Sequence, residues 1–217
     1  PTRWLQFTAA RAIMQIDPHQ PYPGSSHLTS APSHLIVSSG QRSALVAHPR
    51  SEIAHNLVGM LTEIGFDANA THTGHGVVHL ANSSADYQLA LIHDTVANPE
   101  AWKLVQTLRQ NPRWGSLPIG LMSRPETLSR NKHFAELDPL TLAFPLPHSD
   151  EGLKYNVHEL LLLSDRHLVE GDEQLGHARE ALVWLARLAE DPEKYHYYDV
   201  LAHETAVATS LTHSLLT

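Results

Sequence analysis

The residues best placed to do chemistry stand where short apolar runs end. His48 and Pro49 follow Ser43–Ala47, and His93 and Asp94 follow Gln88–Ile92. Ser123 follows Leu117–Met122, and Leu146 with Pro147 follows Leu140–Phe144. Two imidazoles at neighbouring strand ends can hydrogen-bond to each other or titrate near neutral pH. With the hydroxyl of Ser123 they could also line a small-ligand or metal pocket. Asp94 reads equally as a loop or helix-capping aspartate. A third set, His72, His75 and His79, has H-x-x-H-x-x-x-H spacing, and its last two members share a helical face in a geometry that zinc accepts. No glutamate beside them makes a metalloprotease helix, and the 17 histidines of the chain are spread along its length. A biased surface composition therefore accounts for them as well, and no metal site is assigned. No nucleophile with a base and an orienting acid is visible, and neither phosphate-loop nor dinucleotide-loop glycine patterns occur. No catalytic residue and no cofactor are expected.

The elements that would position these groups follow from periodicity. Ser43–Ala47 is a short apolar strand, and Ile53, Leu57, Met60, Leu61 and Ile64 then recur at spacings of three and four, which makes one helical face. Ser51 is the expected N-cap of that helix and Gly65 its stop. The unit repeats. Phe66–Thr71 is a strand, Thr73–Asn82 a helix, Gln88–Ile92 a strand, and Pro99–Gln110 a helix with Trp102, Val105 and Leu108 inward. Asn111-Pro112 ends that helix. Leu117–Met122 is a strand, Glu126–Leu137 a helix, Leu140–Phe144 a strand, and Asp150–Leu163 a closing helix. Five strands alternating with five helices predict an α/β fold with a five-stranded parallel sheet, doubly wound, because each crossover helix must bury its stripe against the sheet. In such a sheet the site lies at the carboxyl ends of the strands, where strand order reverses.

The runs Ala44–Ala47 and Leu89–Ile92, the segment "RQNPRWGSLPIGLMS" over Arg109–Ser123, and Phe144–Pro147 followed by Asp150 resemble the CheY-like receiver family of response regulators, a flavodoxin-like fold, over about half the chain. The resemblance implies an acidic pair after the first strand to hold magnesium, a phospho-accepting aspartate after the third, a hydroxyl after the fourth, and a lysine before proline after the fifth. At the matching positions this chain has His48 and Pro49, His93, Ser123, and Leu146 before Pro147. Only the hydroxyl and the proline fit, so the resemblance implies a degenerate receiver. Phosphoryl transfer depends on positioning and charge neutralisation, magnesium takes hard oxygen ligands, and leucine cannot replace an ammonium group. Asp94, one residue beyond the acceptor position, is the alternative acceptor of a phosphorylation-competent receiver.

Composition narrows the classes further. The chain has 217 residues, 42% hydrophobic, a formal net charge of −8 and no cysteine. That is enough for a receiver-sized core with flanking pieces. The scattered lysines and arginines make no nucleic-acid footprint, and no apolar run reaches the length of a membrane span. Without cysteine there are no disulfides or thiolate sites, which fits a cytoplasmic protein. The start at Pro1 reads as a fragment of something longer.

The expected organisation is an N-terminal helix within 1–17, a linker over 18–42, the receiver-like domain over 43–163 and a helical extension over 164–217. "FTAARAIMQI" resembles the second helix of a HEAT-type repeat, whose stacking partners would lie upstream. Residues 18–33 are rich in Pro, Ser, Gly and His, with a short helical turn expected over His34–Ser39. Glu173–Glu190 and part of Tyr195–Leu215 read as helices with broad apolar faces that must pack on something. The expected function is a non-catalytic signalling or regulatory module acting through a protein partner or as a homodimer. By the resemblance, the partner face is the fourth helix, fifth strand and fifth helix of the alternating unit, here Thr127–Leu137, Leu140–Phe144 and Asp150–Leu163.

Overall fold

A computed structural model describes residues 3–36, 38–111, 113–163 and 171–198. The chain divides into two compact units, one of residues 41–170 and one formed by residues 1–40 together with 171–217.

The first unit holds the sheet. Its strands are β1 (Ser43–Ala47), β2 (Asp67–Thr71), β3 (Tyr87–His93), β4 (Ile119–Ser123) and β5 (Thr141–Pro145). They lie in the order β2-β1-β3-β4-β5, and every neighbouring pair is parallel. This is the flavodoxin-like order, so the five-stranded doubly wound fold expected from periodicity is present. β1, β3 and β4 are buried along their whole length, which is why they read as unbroken apolar runs rather than alternating ones.

Alternate side chains of each strand enter opposite cores. Leu45, Ala47, Ala90 and Ile92 face one cluster with Val77, Leu104, Val105, Leu108 and Ala135. Ala44, Val46, Leu89 and Leu91 face the other, with Leu57, Leu61, Leu153, Val157 and Leu160. Helices α4 (Gly74–Ser83), α5 (Ala101–Gln110) and α6 (Pro125–Glu136) serve the first core, whereas α3 (Ser51–Glu63) and α7 (Asp150–Leu163) serve the second.

Helix ends follow local chemistry. Gly65 adopts φ 90°, its amide donates to Thr62 O and the Phe66 amide donates to Leu61 O, so α3 stops at the predicted glycine. Its start differs from expectation. Arg50 occupies the cap position in extended geometry and Ser51 is the first helical residue, its hydroxyl 3.2 Å from His55 Nδ1. Thr73 caps α4 by accepting the Gly76 N–H at 3.1 Å. In α5 the buried set is Ala101, Leu104, Val105 and Leu108, while the expected inward Trp102 is only partly buried and stacks on Phe134 with centroids 5.1 Å apart. The inward stripe is thus rotated toward Leu104, because the indole finds a partner on α6.

The second unit is helical, with α1 (Arg3–Ile16), α2 (Ser30–Leu35) and α8 (Gly171–Glu190). Phe7, Ala10 and Met14 of α1 pack with Trp184 and Leu188 of α8, and Ile36 packs with Ala181 and Leu185. The apolar stripe of α1 thus meets a partner downstream in the sequence. The segment expected to be a linker contains a 3-10 turn at Ser25–His27 and α2, with Thr29 and Ser33 buried and the Ser33 hydroxyl donating to Thr29 O at 2.6 Å. Serine satisfying its own helix backbone lets a polar composition line a packed helix. Tyr195–Tyr198 lie in turns, and the rest of the last expected helix falls outside the described residues.

Candidate functional site

The carboxyl ends of β1, β3 and β4 converge at the reversal between β1 and β3. His48 directly follows β1 and is 3% exposed, and His93 is the last residue of β3 and 5% exposed. Their rings lie with centroids 4.4 Å apart at 56°. The strand extends through His93, one residue beyond the expected end, because its backbone pairs with Met122 of β4.

Each ring is oriented by its own loop. The Arg50 N–H lies 3.0 Å from His48 Nδ1, and the Arg50 carbonyl oxygen lies 3.3 Å from the same atom. His93 Nδ1 lies 2.7 Å from Thr95 Oγ1 and 3.4 Å from Asp94 Oδ1. Burial, which penalises the charged ring, holds His48 below the usual imidazole range; the hydrogen bond with the Arg50 backbone and the charge of Asp94 oppose it, and the charges of Arg50 and His72 add to it. His93 is pushed down to about 4, again chiefly by burial, then by the neighbouring His48 and by Arg124 and Arg50, against the pull of Asp94. Both imidazoles are therefore neutral at pH 7.

Asp94 turns its carboxylate to α6. Its side chain is 4% exposed. It accepts from the Arg124 backbone N–H at 3.3 Å, from Arg124 Nε at 3.3 Å, from Asn131 Nδ2 at 3.4 Å and from the Thr127 hydroxyl. Arg124 is the cap residue of α6, so the carboxylate secures the first turn of that helix and complements its dipole. Asn131, buried on α6, also donates to Ser123 Oγ at 2.9 Å, and that hydroxyl donates to Leu121 O at 3.2 Å.

Of the residues singled out in the sequence, His48, His93, Asp94 and Ser123 gather at the strand ends. Pro49 is exposed, and Leu146 packs partly against the second core, so neither brings a polar group. His72, His75 and His79 are exposed, and only His72 approaches the site, its Nδ1 3.0 Å from the His48 carbonyl oxygen. Among the described residues no three His, Asp or Glu side chains group as a cation-holding set. Sequence reasoning passed over Thr127, Asn131 and Thr95. The available signal was a threonine and an asparagine four apart on one face of the helix after Ser123.

Magnesium requires several hard oxygen donors at short range. Here the one carboxylate is committed to four donors, and the other groups are imidazoles and a hydroxyl already bonded to Asn131. The residues present do not fit that ion.

No protein-family model matches the chain, and no curated protein matches it. Solved structures do. The chemotaxis response regulator CheY4 of Vibrio cholerae is similar over 56% of this chain and 99% of its own, at 12% identity and TM-score 0.50. A response regulator receiver domain protein from Clostridium thermocellum is similar over 57% of this chain and 96% of its own, at 8% identity and TM-score 0.50. A sensor protein from Polaromonas sp. JS666 covers 57% and 98%, at 19% identity and TM-score 0.49. At these identities the likeness is one of fold.

Proposed function

We propose that the sheet-bearing unit is a signalling or regulatory module that acts through protein contacts, without phosphoryl transfer at its strand ends. One observation carries this reading. The last position of β3 is a neutral, buried histidine, and the carboxylate next to it is consumed by α6. A phosphoryl group arriving at Asp94 would have to displace those donors, with no lysine at Leu146 to receive its oxygens.

Contact formation has support of its own. Leu137, Tyr155 and Leu162 are 70%, 64% and 62% exposed, on or just after α6 and along α7. Large apolar side chains left in solvent on the two helices that flank the edge strand β5 are what a docking surface presents. The occupant in this reading is a second copy or another protein. Among the described residues no helix is long and apolar enough to cross a membrane.

The test is intact-mass spectrometry after incubation with acetyl phosphate and magnesium, beside Asp94→Asn. The reading expects no adduct on the folded protein. A phosphoryl adduct that vanishes in Asp94→Asn would overturn it in favour of a working receiver. Tyr155→Asp and Leu162→Glu, both at exposed positions, are expected to leave folding intact and to weaken self-association or partner capture at least tenfold, read by analytical ultracentrifugation and pull-down. Unchanged association in both variants would remove this face as the docking surface.

A further inference from the structure

Helix α1 is apolar on two sides. Phe7, Ala10 and Met14 face α8, and at about 100° per residue the opposite side of the helix carries Leu5, Ala9, Ala12 and Ile16. Leu5 is 52% and Ile16 74% exposed, and both alanines between them are exposed as well. Among the described residues no charged side chain stands on that side, since Arg11 turns to α8 and pairs with Glu180 there. A helix at a lasting boundary with water carries polar residues outward, so a second apolar face is a second surface to bury.

We propose that the outward face of α1 pairs with the same face of a second copy of this chain, antiparallel about a two-fold axis. The order of the side chains selects this occupant. Leu5, Ala9, Ala12 and Ile16 are spaced by four, three and four residues, the large side chains outermost and the small ones between. The pattern reads alike in both directions. In an antiparallel pair centred between Ala9 and Ala12, Leu5 of one copy meets Ile16 of the other, and Ala9 meets Ala12.

A two-fold contact brings a patch against itself, so the patch must be self-complementary. Only a face that reads alike in both directions achieves this in the antiparallel sense. That sense also sets the positive end of one helix beside the negative end of the other. Alanines at the centre let the helix axes approach to about 8 Å, the near end of the usual packing range, and the outer Leu and Ile close over them. The net charge of −8 opposes association at long range, and a contact without ions adds no charge desolvation to that cost. The inference is separate from the partner-binding reading, which places its contact on α6 and α7.

The chain has no cysteine, so introduced thiols report on this contact alone. Leu5→Cys and Ile16→Cys proteins, mixed and treated with a short bismaleimide, are expected to give a cross-linked dimer of one with the other. Leu5→Cys by itself should stay unlinked, because in the antiparallel pair the two copies of that position stand about 16 Å apart along the axis. Linking of Leu5→Cys by itself in preference to the mixture would mean parallel pairing and overturn the proposal. In analytical ultracentrifugation the wild type is expected to dimerise, and Ala9→Glu and Ala12→Glu, at exposed positions, to raise the dimer dissociation constant about tenfold or more by burying a charge. A monomeric wild type would leave the face to another segment or protein and overturn the proposal. So would a dimer that survives both glutamates, or one lost in Tyr155→Asp and kept in Ala12→Glu, which would move self-association to α7. Should the glutamate variants fail to fold, the cysteine mixture decides.

Discussion

The imidazoles of His48 and His93 lie 4.4 Å apart, centroid to centroid, at the carboxyl ends of two adjacent parallel strands. Two such rings cannot both carry charge in a buried site, so the pair couples the protein to pH.

The sign follows from linkage. His93 titrates near 4 in the folded chain against 6.5 for a free imidazole. The unfolded chain therefore binds more protons between those values, and stability is complete above pH 6.5 and falls as pH drops toward 4. The difference corresponds to about 3 kcal/mol for His93, and His48 adds in the same direction. Urea midpoints measured from pH 7.5 to 4 should decline more steeply in the wild type than in His93→Gln. Parallel curves would contradict the assignment.

Asp94 accepts from four donors on Arg124, Thr127 and Asn131, all of which lose that carboxylate when it is removed. Asp94→Ala is expected to cost about 2–4 kcal/mol, because Asn131 is left buried with its network broken. Amide exchange should quicken over residues 124–128 first, where the carboxylate secures α6. Uniform exchange changes across the sheet would mean that Asp94 acts elsewhere.

Arg109, on α5, gathers the amino-terminal edge of the sheet. Its guanidinium pairs with Asp138 at 2.7 Å and donates to Leu117 O at 2.7 Å, Leu140 O at 3.0 Å and Thr141 Oγ1 at 3.1 Å. Lysine cannot span those acceptors from one rigid plane. Arg109→Lys should cost about 2 kcal/mol or more in chemical denaturation, while Arg130→Lys, at an exposed position, should change little.

Phe7 anchors the helical unit by stacking on Trp184 with centroids 5.1 Å apart and on His177 at 4.2 Å. Phe7→Ala is expected to destabilise that unit by about 3–5 kcal/mol, the range for a buried aromatic. Hydrogen exchange in α8 should report it. Protection in α8 equal to wild type would show that α1 is not its packing partner.

The sheet was legible from the sequence because its central strands β1, β3 and β4 are buried on both faces. Such strands read as apolar runs, and the helices between them keep a period near 3.6. His48, His93, Asp94 and Ser123 could be picked out for a related reason, since parallel strands deliver their last residues to one edge. Strand ends themselves were off by one or two residues, as at His93 and Ser123, because pairing with a neighbour extends a strand beyond its apolar run.

What only the tertiary structure decided was how those groups are used. The sequence places Asp94 beside His93 but cannot say that its carboxylate turns to Arg124, Thr127 and Asn131, thirty and more residues away. Nor does it say that Leu146 joins a core or that the polar segment near Ser33 folds into a helix. Periodicity is a local property fixed by which face each side chain must bury. Hydrogen-bond partners across the fold depend on the packed positions of several elements at once, and no single segment encodes them.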